Sequence, residues 1–132
     1  MTSNNSAVPQ VVATPAALDL IDQLAQLHGP LMFHQSGGCC DGSAPMCYAR
    51  GDFIVGDHDR LLGHIGGMPF YISASQFEYW QHTQLTIDVV PGRGGMFSLE
   101  GPLGLRFLVR SRLYEDGEWA WLVAQGRVLA DG

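Results

Sequence analysis

The chain is 132 residues long, the usual size of one domain, and its 46% hydrophobic residues exclude a disordered protein, apart from the ends. The formal net charge is −6 and lysine is absent, which argues against a nucleic-acid partner because phosphate binding needs a dense positive field. The absence of lysine also excludes Schiff-base catalysis.

The first predicted element is one amphipathic helix, which follows a flexible tail over residues 1–13. Thr14 is a typical N-cap, and Pro15 suits the first helical position. Leucines recur on one face at helical spacing: Leu20, Leu24 and Leu27. Gly29 and Pro30 end the pattern, so we expect a helix over residues 15–28.

Beyond the helix the pattern changes to short strands separated by glycine-rich turns. Strands are predicted over residues 31–35, 53–55, 68–72, 85–90, 96–99, 106–113 and 119–128. Residues 42–50 have the composition of a loop. Residues 73–82 are ambiguous, and a short helix capped by Ser73 or Ser75 is one interpretation. Glu115-Asp116-Gly117 is predicted to be the hairpin turn before the final strand.

These elements predict an α+β fold with one N-terminal amphipathic helix. The sheet is expected to be mostly antiparallel and to form a sandwich or half-barrel. No internal repeat or second domain is visible, so residues 14–132 are expected to form a single domain.

The candidate site for chemistry is the segment 37–42, here named the cysteine loop, together with Cys47. The glycines of the cysteine loop allow a tight turn and expose backbone N–H groups toward a thiolate or an anion: Gly37, Gly38 and Gly42. A metal site needs three or four soft ligands that converge. Four residues supply such ligands, for iron, zinc or copper: Cys39, Cys40, Cys47 and His34.

Two other interpretations of the cysteines stay open, because the chain has no paired C-x-x-C motif typical of zinc ribbons. A thiolate with a lowered pKa could act as a nucleophile or redox sensor, with Cys40 and Cys47 forming a regulatory disulfide. Alternatively, one cysteine is core packing and another is an unreactive surface thiol.

The compartment is predicted from the cysteine count and from apolar segments. Three cysteines without a secretion signal do not suit a disulfide scaffold. No apolar run approaches the ~18 residues of a membrane helix. We therefore expect a cytoplasmic protein that does not enter a membrane.

A second candidate set combines histidines with one carboxylate: His58, His64, His82 and Glu78. Their spacing does not match the two-histidine motif of a metal-binding helix. Histidines in loops, or hydrogen-bonded at the edge of the core, are the simpler interpretation.

Several segments resemble a known bacterial family. They are FHQSGGCCDG at 33–42, PFYI at 69–72, QFEYW at 76–80, IDVV at 87–90 and FSLE at 97–100. Over about residues 28–114 the chain resembles the domain of unknown function 779 family, whose members often accompany aldehyde dehydrogenases. The resemblance implies an accessory role in alcohol and aldehyde oxidation, without an established activity.

A fainter resemblance is to the A-type iron–sulfur carrier fold. Those proteins place Gly-Gly-Cys at the end of an early strand, as at residues 37–39, and carry a later Leu-x-Ile-Asp strand, as at 85–88. The carriers continue past a proline into a C-x-C pair, whereas this chain continues past Pro102 with Leu-Gly-Leu. A shared fold would therefore leave Cys39 in need of other partners, such as Cys40, Cys47 or His34.

Residues and resemblance together predict a small accessory protein, non-catalytic or weakly catalytic, with a thiolate-rich metal or redox site, acting beside an aldehyde dehydrogenase. One alternative is a ligand-binding or redox-sensing regulatory module that uses a reactive cysteine. Another is a structural partner of an aldehyde dehydrogenase, without metal. The aromatic segment at 119–123 is a candidate for that contact or for homo-oligomerisation, and a core strand is its simpler interpretation.

Overall fold

The computed structural model describes residues 8–35, 44–51, 55–92 and 98–128. Within these ranges the strands are β1 Val11–Ala13, β2 Leu31–Gln35, β3 Met46–Ala49, β4 Asp59–Ile65, β5 Met68–Ser73, β6 Thr83–Pro91 and β7 Leu105–Leu113. The helices are α1 Pro15–His28, α2 Ala74–Trp80 and α3 Asp116–Ala124, with a 3₁₀ turn at Gly101–Leu103. In the described ranges no helix combines the length and apolar character needed to cross a membrane.

Helix α1 forms where the sequence provides a cap and an apolar face. The Ala17 N–H donates to the Thr14 side chain at 3.2 Å, and Gly29 ends the helix with a φ of 80°. One face is buried against the sheets through Ala17, Leu20, Ile21 and Leu24. Leu27, which the leucine pattern assigns to this face, is 65% exposed.

The larger sheet has four strands in the order β3-β2-β5-β4. β2 pairs in parallel with β5, while β3 and β4 pair antiparallel with their neighbours. β4 and β5 are joined by a two-residue turn at Gly66 and Gly67, whose φ angles of 56° and 79° are the positive values that such a turn requires. Every residue of β2 is buried, and the strand lies in the interior of the sheet between β3 and β5.

The smaller sheet has three strands in the order β1-β6-β7. β1 pairs in parallel with β6, and β6 pairs antiparallel with β7. The two sheets approach closely where β4 passes β1. A Cβ at Gly63 would lie 3.0 Å from the Val11 side chain, so a residue without a side chain suits this crossing.

The four-stranded sheet has two faces that matter for the site. Its inner face carries Phe33, with Phe70 and Cys47 beside it in register, and packs on Phe107 of β7 at a ring-centroid distance of 5.2 Å. Its outer face carries His34 and its register partners, because successive strand residues point to opposite sides. The core therefore lies between the inner face, the three-stranded sheet and α1.

The α+β class predicted from the sequence is confirmed, since the described residues form helices and two sheets without a closed barrel. Three of the five strand pairings in those residues are antiparallel. The helix is not the leading element. Residues 11–13, assigned to the flexible tail, form β1 because their N–H and C=O groups pair with β6. Residues 46–49, assigned to a loop, form β3.

The predicted final strand at 119–128 is wrong, because this segment contributes to helix α3. The predicted hairpin turn is the start of that helix. Glu115 and Glu118 form a capping box, in which the Glu115 N–H donates to Glu118 Oε1 at 2.9 Å. The predicted strand at 53–55 falls mainly outside the described residues, and in the segment predicted as a strand at 96–99 the described residues Ser98 and Leu99 are not in a strand.

Candidate functional site

His34 and Asp59 form a close pair on the outer face of the four-stranded sheet. His34 Nε2 lies 2.6 Å from Asp59 Oδ1, and their side chains are only 5% and 14% exposed. The Gly56 N–H donates to Asp59 Oδ2 at 2.9 Å. This backbone hydrogen bond, and then the one from His34, lower the pKa of Asp59. An ionised Asp59 therefore accepts a hydrogen bond from His34 and fixes the ring orientation.

The order of the strands in the sheet brings His34 and Asp59 together. His34 is the penultimate residue of β2, whose end leads directly toward the cysteine loop. Asp59 begins β4, two strands away, and β5 brings the two strands into one sheet. The sequence pattern identified His34 as a candidate and missed Asp59. The only local signal was its place in a histidine- and aspartate-rich turn.

Cys47 lies on the inner face and is fully buried in the core. It is paired with Phe33, whereas His34 is paired with Met46, so the side chains of Cys47 and His34 point to opposite faces of the same sheet. Burial, and then the charge of Glu100, raise the pKa of the Cys47 thiol far above its ordinary value. The structure therefore separates these two predicted ligands and makes Cys47 a poor thiolate.

A buried polar bridge lies beside Cys47 and was not visible in the sequence. The Cys47 N–H donates to Ser98 Oγ at 2.8 Å, and the Ser98 hydroxyl donates to Glu100 Oε1. The Phe107 N–H donates to the other Glu100 oxygen at 3.2 Å. Glu100 is fully buried, so its carboxyl group joins the edge of β3 to the edge of β7. We name Ser98 and Glu100 the inner bridge.

The remaining residues of the first candidate set fall outside the described residues. They are Cys39, Cys40, Gly37, Gly38 and Gly42. Within residues 8–35, 44–51, 55–92 and 98–128, no three histidine, cysteine, aspartate or glutamate side chains form a group that could hold a metal ion. Of the four predicted ligands, His34 and Cys47 lie in the described residues, and the register places them on opposite faces of one sheet.

The second candidate set is dispersed over several elements. His58 lies in the turn before β4, and Glu78 is exposed on α2. His64 lies on β4 and lines a groove on the outer face. His82 follows α2 and stacks on Trp119 at a ring-centroid distance of 4.5 Å. The structure does not bring these four side chains together, and His82 is occupied by an aromatic contact.

Comparison with known proteins adds one finding to this geometry. The curated proteins include no match to the chain. The family model described as a domain of unknown function, DUF779, matches residues 20–113. That range contains β2, the cysteine loop, Asp59, the inner bridge and all of β7. On this match, which covers well over half of its length, the chain belongs to the DUF779 family.

Proposed function

We propose that this chain is a small accessory protein with a thiolate-rich metal site, working beside an aldehyde-oxidising enzyme. The ligands proposed are His34 together with Cys39 and Cys40 of the cysteine loop. The observation that carries the proposal is the 2.6 Å contact between His34 and Asp59 at the strand end that leads into that loop.

The His34–Asp59 pair fits a metal site. Metal-binding histidines usually donate their second ring N–H to a carboxylate, which fixes the ring and raises its basicity. Here Asp59 fills that role toward Nε2. Cys47 does not fit, because its thiol is buried on the other face and its pKa is raised. We therefore exclude Cys47 from the ligand set.

The chemistry of the donor set narrows the metal class. One imidazole and two thiolates are soft to intermediate ligands, which suit iron, zinc or copper better than magnesium or calcium. A bound iron or copper would supply electron transfer, and a bound zinc would supply Lewis acidity. The protein contributes a histidine of fixed orientation and a buried strand that holds it in place.

The partner enzyme is proposed from the family. Its members often accompany aldehyde dehydrogenases, so an aldehyde dehydrogenase is the partner we propose. We also propose a cytoplasmic location and homo-oligomerisation, both from the sequence alone. The aromatic segment at residues 119–123, a candidate for such contacts, lies in helix α3, where Leu122 is fully buried.

The test is the metal content per chain, measured by mass spectrometry on full-length protein purified anaerobically without chelator or histidine tag. We expect near-stoichiometric metal that is lost in His34→Gln, Cys39→Ser and Cys40→Ser. Asp59→Asn should weaken metal binding by roughly 10- to 100-fold. Cys47→Ala and His28→Gln, an exposed histidine on α1, are matched controls and should retain the metal.

Metal content that is unchanged in His34→Gln and in both loop cysteine variants would contradict the proposal. So would loss of metal in Cys47→Ala alone. The visible spectrum of the metal-bound protein separates iron–sulfur or copper(II) centres, which absorb, from zinc, which does not.

A second candidate function is a redox-sensing module, and the same pair favours it. A histidine oriented by a carboxylate is the usual base that activates a thiol nucleophile. In this case the protein carries no metal, and one cysteine of the loop reacts quickly with iodoacetamide at neutral pH. His34→Gln should then slow the reaction, whereas Cys47→Ala should leave it unchanged. A metal-free protein without a fast thiol would support a purely structural partner instead.

A further inference from the structure

A groove of about 410 Å³ lies on the outer face of the four-stranded sheet. Its wall is largely apolar and includes Met32, Leu61 and Pro69. Met32 and Pro69 are buried, whereas Leu61 is 47% exposed, so the groove presents hydrophobic surface that opens to solvent. Its volume falls within the range of small-molecule sites, roughly 300–1,000 Å³.

Three polar side chains also line this groove: Arg50, His64 and Tyr71. Arg50 is anchored at its base, because its backbone N–H donates to the Pro30 carbonyl at 2.9 Å and its Nε to the Leu31 carbonyl at 3.2 Å. Across the described part of the chain, no acid pairs with its terminal guanidinium nitrogens. Neither the His64 ring nor the Tyr71 hydroxyl has a hydrogen-bond partner among those residues.

The described residues that line this groove carry a charge opposite in sign to that of the whole chain. The chain has 13 acidic residues against 7 arginines, yet none of the described residues that line the groove is acidic. An arginine, a histidine and a phenol around one opening supply donors, and an anion is the complementary ligand. The apolar wall adds a requirement for a hydrocarbon body next to the anionic group.

We propose that this groove binds a small aliphatic monocarboxylate. The Arg50 guanidinium takes the carboxylate, His64 and Tyr71 donate further hydrogen bonds, and the alkyl chain lies along Met32 and Leu61. Tyr71 is the register partner of His34, so the groove borders the His34–Asp59 pair. The inference does not depend on a metal at that pair.

The experiment is calorimetric titration of the full-length protein with butyrate, hexanoate and hexanamide. We expect the affinity to rise about threefold to fourfold for each added methylene group, as the alkyl chain covers more of the wall. Hexanamide should bind at least roughly tenfold more weakly than hexanoate, since the neutral amide loses the charged hydrogen bonds.

Variants locate the binding in this groove. Arg50→Gln should lower hexanoate affinity roughly tenfold or more, and Arg50→Lys should lower it less. His64→Gln and Tyr71→Phe should each lower it roughly threefold. Arg110→Gln, which changes an arginine of the other sheet that pairs with Asp88, is the matched control and should bind as wild type does.

Three results would overturn the inference. They are no hexanoate binding at millimolar concentration, equal binding of hexanamide, and hexanoate affinity unchanged in Arg50→Gln, His64→Gln and Tyr71→Phe. If Arg50→Gln does not fold, as judged by circular dichroism, His64→Gln and Tyr71→Phe decide the question. Loss of metal in the cysteine variants, or its absence from the wild type, leaves this experiment unaffected, so the two proposals fail separately.

Discussion

The two faces of the four-stranded sheet each hold an acidic side chain in a hydrogen-bonded cluster, and the clusters differ in their partners. On the outer face Asp59 binds a histidine ring and one backbone N–H. On the inner face Glu100 binds a serine hydroxyl and one backbone N–H, without a titratable partner in hydrogen-bond contact among the described residues. Asp59 is 14% exposed at its side chain, whereas Glu100 is fully buried.

This difference separates a site with chemical capacity from one that holds the fold together. A histidine next to a carboxylate can exchange protons or bind a metal near solvent. A carboxyl group buried between a hydroxyl and an N–H can only satisfy those donors, and removing it leaves them unpaired in the core. We therefore expect changes on the inner face to affect mainly stability, and changes on the outer face to affect mainly function.

The largest effect is expected for Glu100→Ala. The change leaves the Ser98 hydroxyl and the Phe107 N–H without an acceptor and opens a cavity, which should lower the free energy of unfolding by about 3–5 kcal/mol. Urea unfolding monitored by circular dichroism measures it. Glu100→Gln keeps an acceptor oxygen and the side-chain shape, so it should cost only about 1–2 kcal/mol. A Glu100→Ala protein as stable as wild type would show that the inner bridge does not join the sheets.

Cys47→Ser should have the next largest effect. A hydroxyl replaces a thiol in an apolar site, at a cost of about 1–3 kcal/mol in the free energy of unfolding. Cys47→Ala, which leaves only a small cavity, should cost about 1 kcal/mol. Equal costs for the two changes would mean that the Cys47 side chain has a polar neighbour able to bind the hydroxyl.

Cys47 also predicts a pH dependence. Since its pKa is raised in the folded protein, its contribution to stability is complete below the ordinary thiol pKa of 9.0 and is lost as the pH rises above that value. The free energy of unfolding of wild type should therefore fall relative to that of Cys47→Ala between about pH 8 and about pH 10. Parallel pH profiles for the two proteins would contradict the burial of this thiol.

A smaller effect is expected on the outer face. The pKa of Asp59 is lowered in the folded protein, so its contribution to stability is present above its ordinary value of 3.8 and is lost as the pH falls below that value. Asp59→Asn should remove this loss and reduce the free energy of unfolding at neutral pH by only about 1 kcal/mol. If Asp59→Asn lowered the free energy of unfolding as much as Glu100→Ala does, the outer face would be as important for stability as the inner face, contrary to our expectation.

The smallest effect lies outside both faces, at the ion pair between Arg112 of β7 and Glu118 of α3. Two hydrogen bonds of 2.8 Å from Arg112, and then one from the Glu115 N–H, lower the pKa of Glu118 to about 2. Arg112→Gln should move the Glu118 titration back toward its ordinary value of 4.5, as followed by carboxyl carbon shifts in nuclear magnetic resonance. The titration of Asp59, on the other sheet, should not change.

The sequence predicts those elements that carry their own local signal. Thr14 and Pro15 mark the start of α1, and alternation marks β6 and β7. In contrast, residues 119–123 are five apolar residues in a row, a pattern that fits a buried strand or a helix equally well. The capping box at Glu115 and Glu118 is the signal that favours the helix. β1 and β3 are too short to show a period, and only their partners define them.

The candidate site is predicted less well, because proximity along the chain does not fix the direction of a side chain. Cys47 and His34 lie on adjacent strands, yet their register positions differ by one residue, which places them on opposite faces. Asp59 and Glu100 reach their partners only through pairing between distant segments. No spacing in the sequence identifies such contacts.

The strand order also bears on how the chain folds. The four-stranded sheet uses only residues 31–73, so it has all its strands once that segment has been synthesised. The three-stranded sheet needs β1 at residues 11–13 and β6 at residues 83–91, so its first strand must wait for a partner more than seventy residues away. Because such non-local pairing is slow, we expect β1 to be among the last strands to join a sheet during folding.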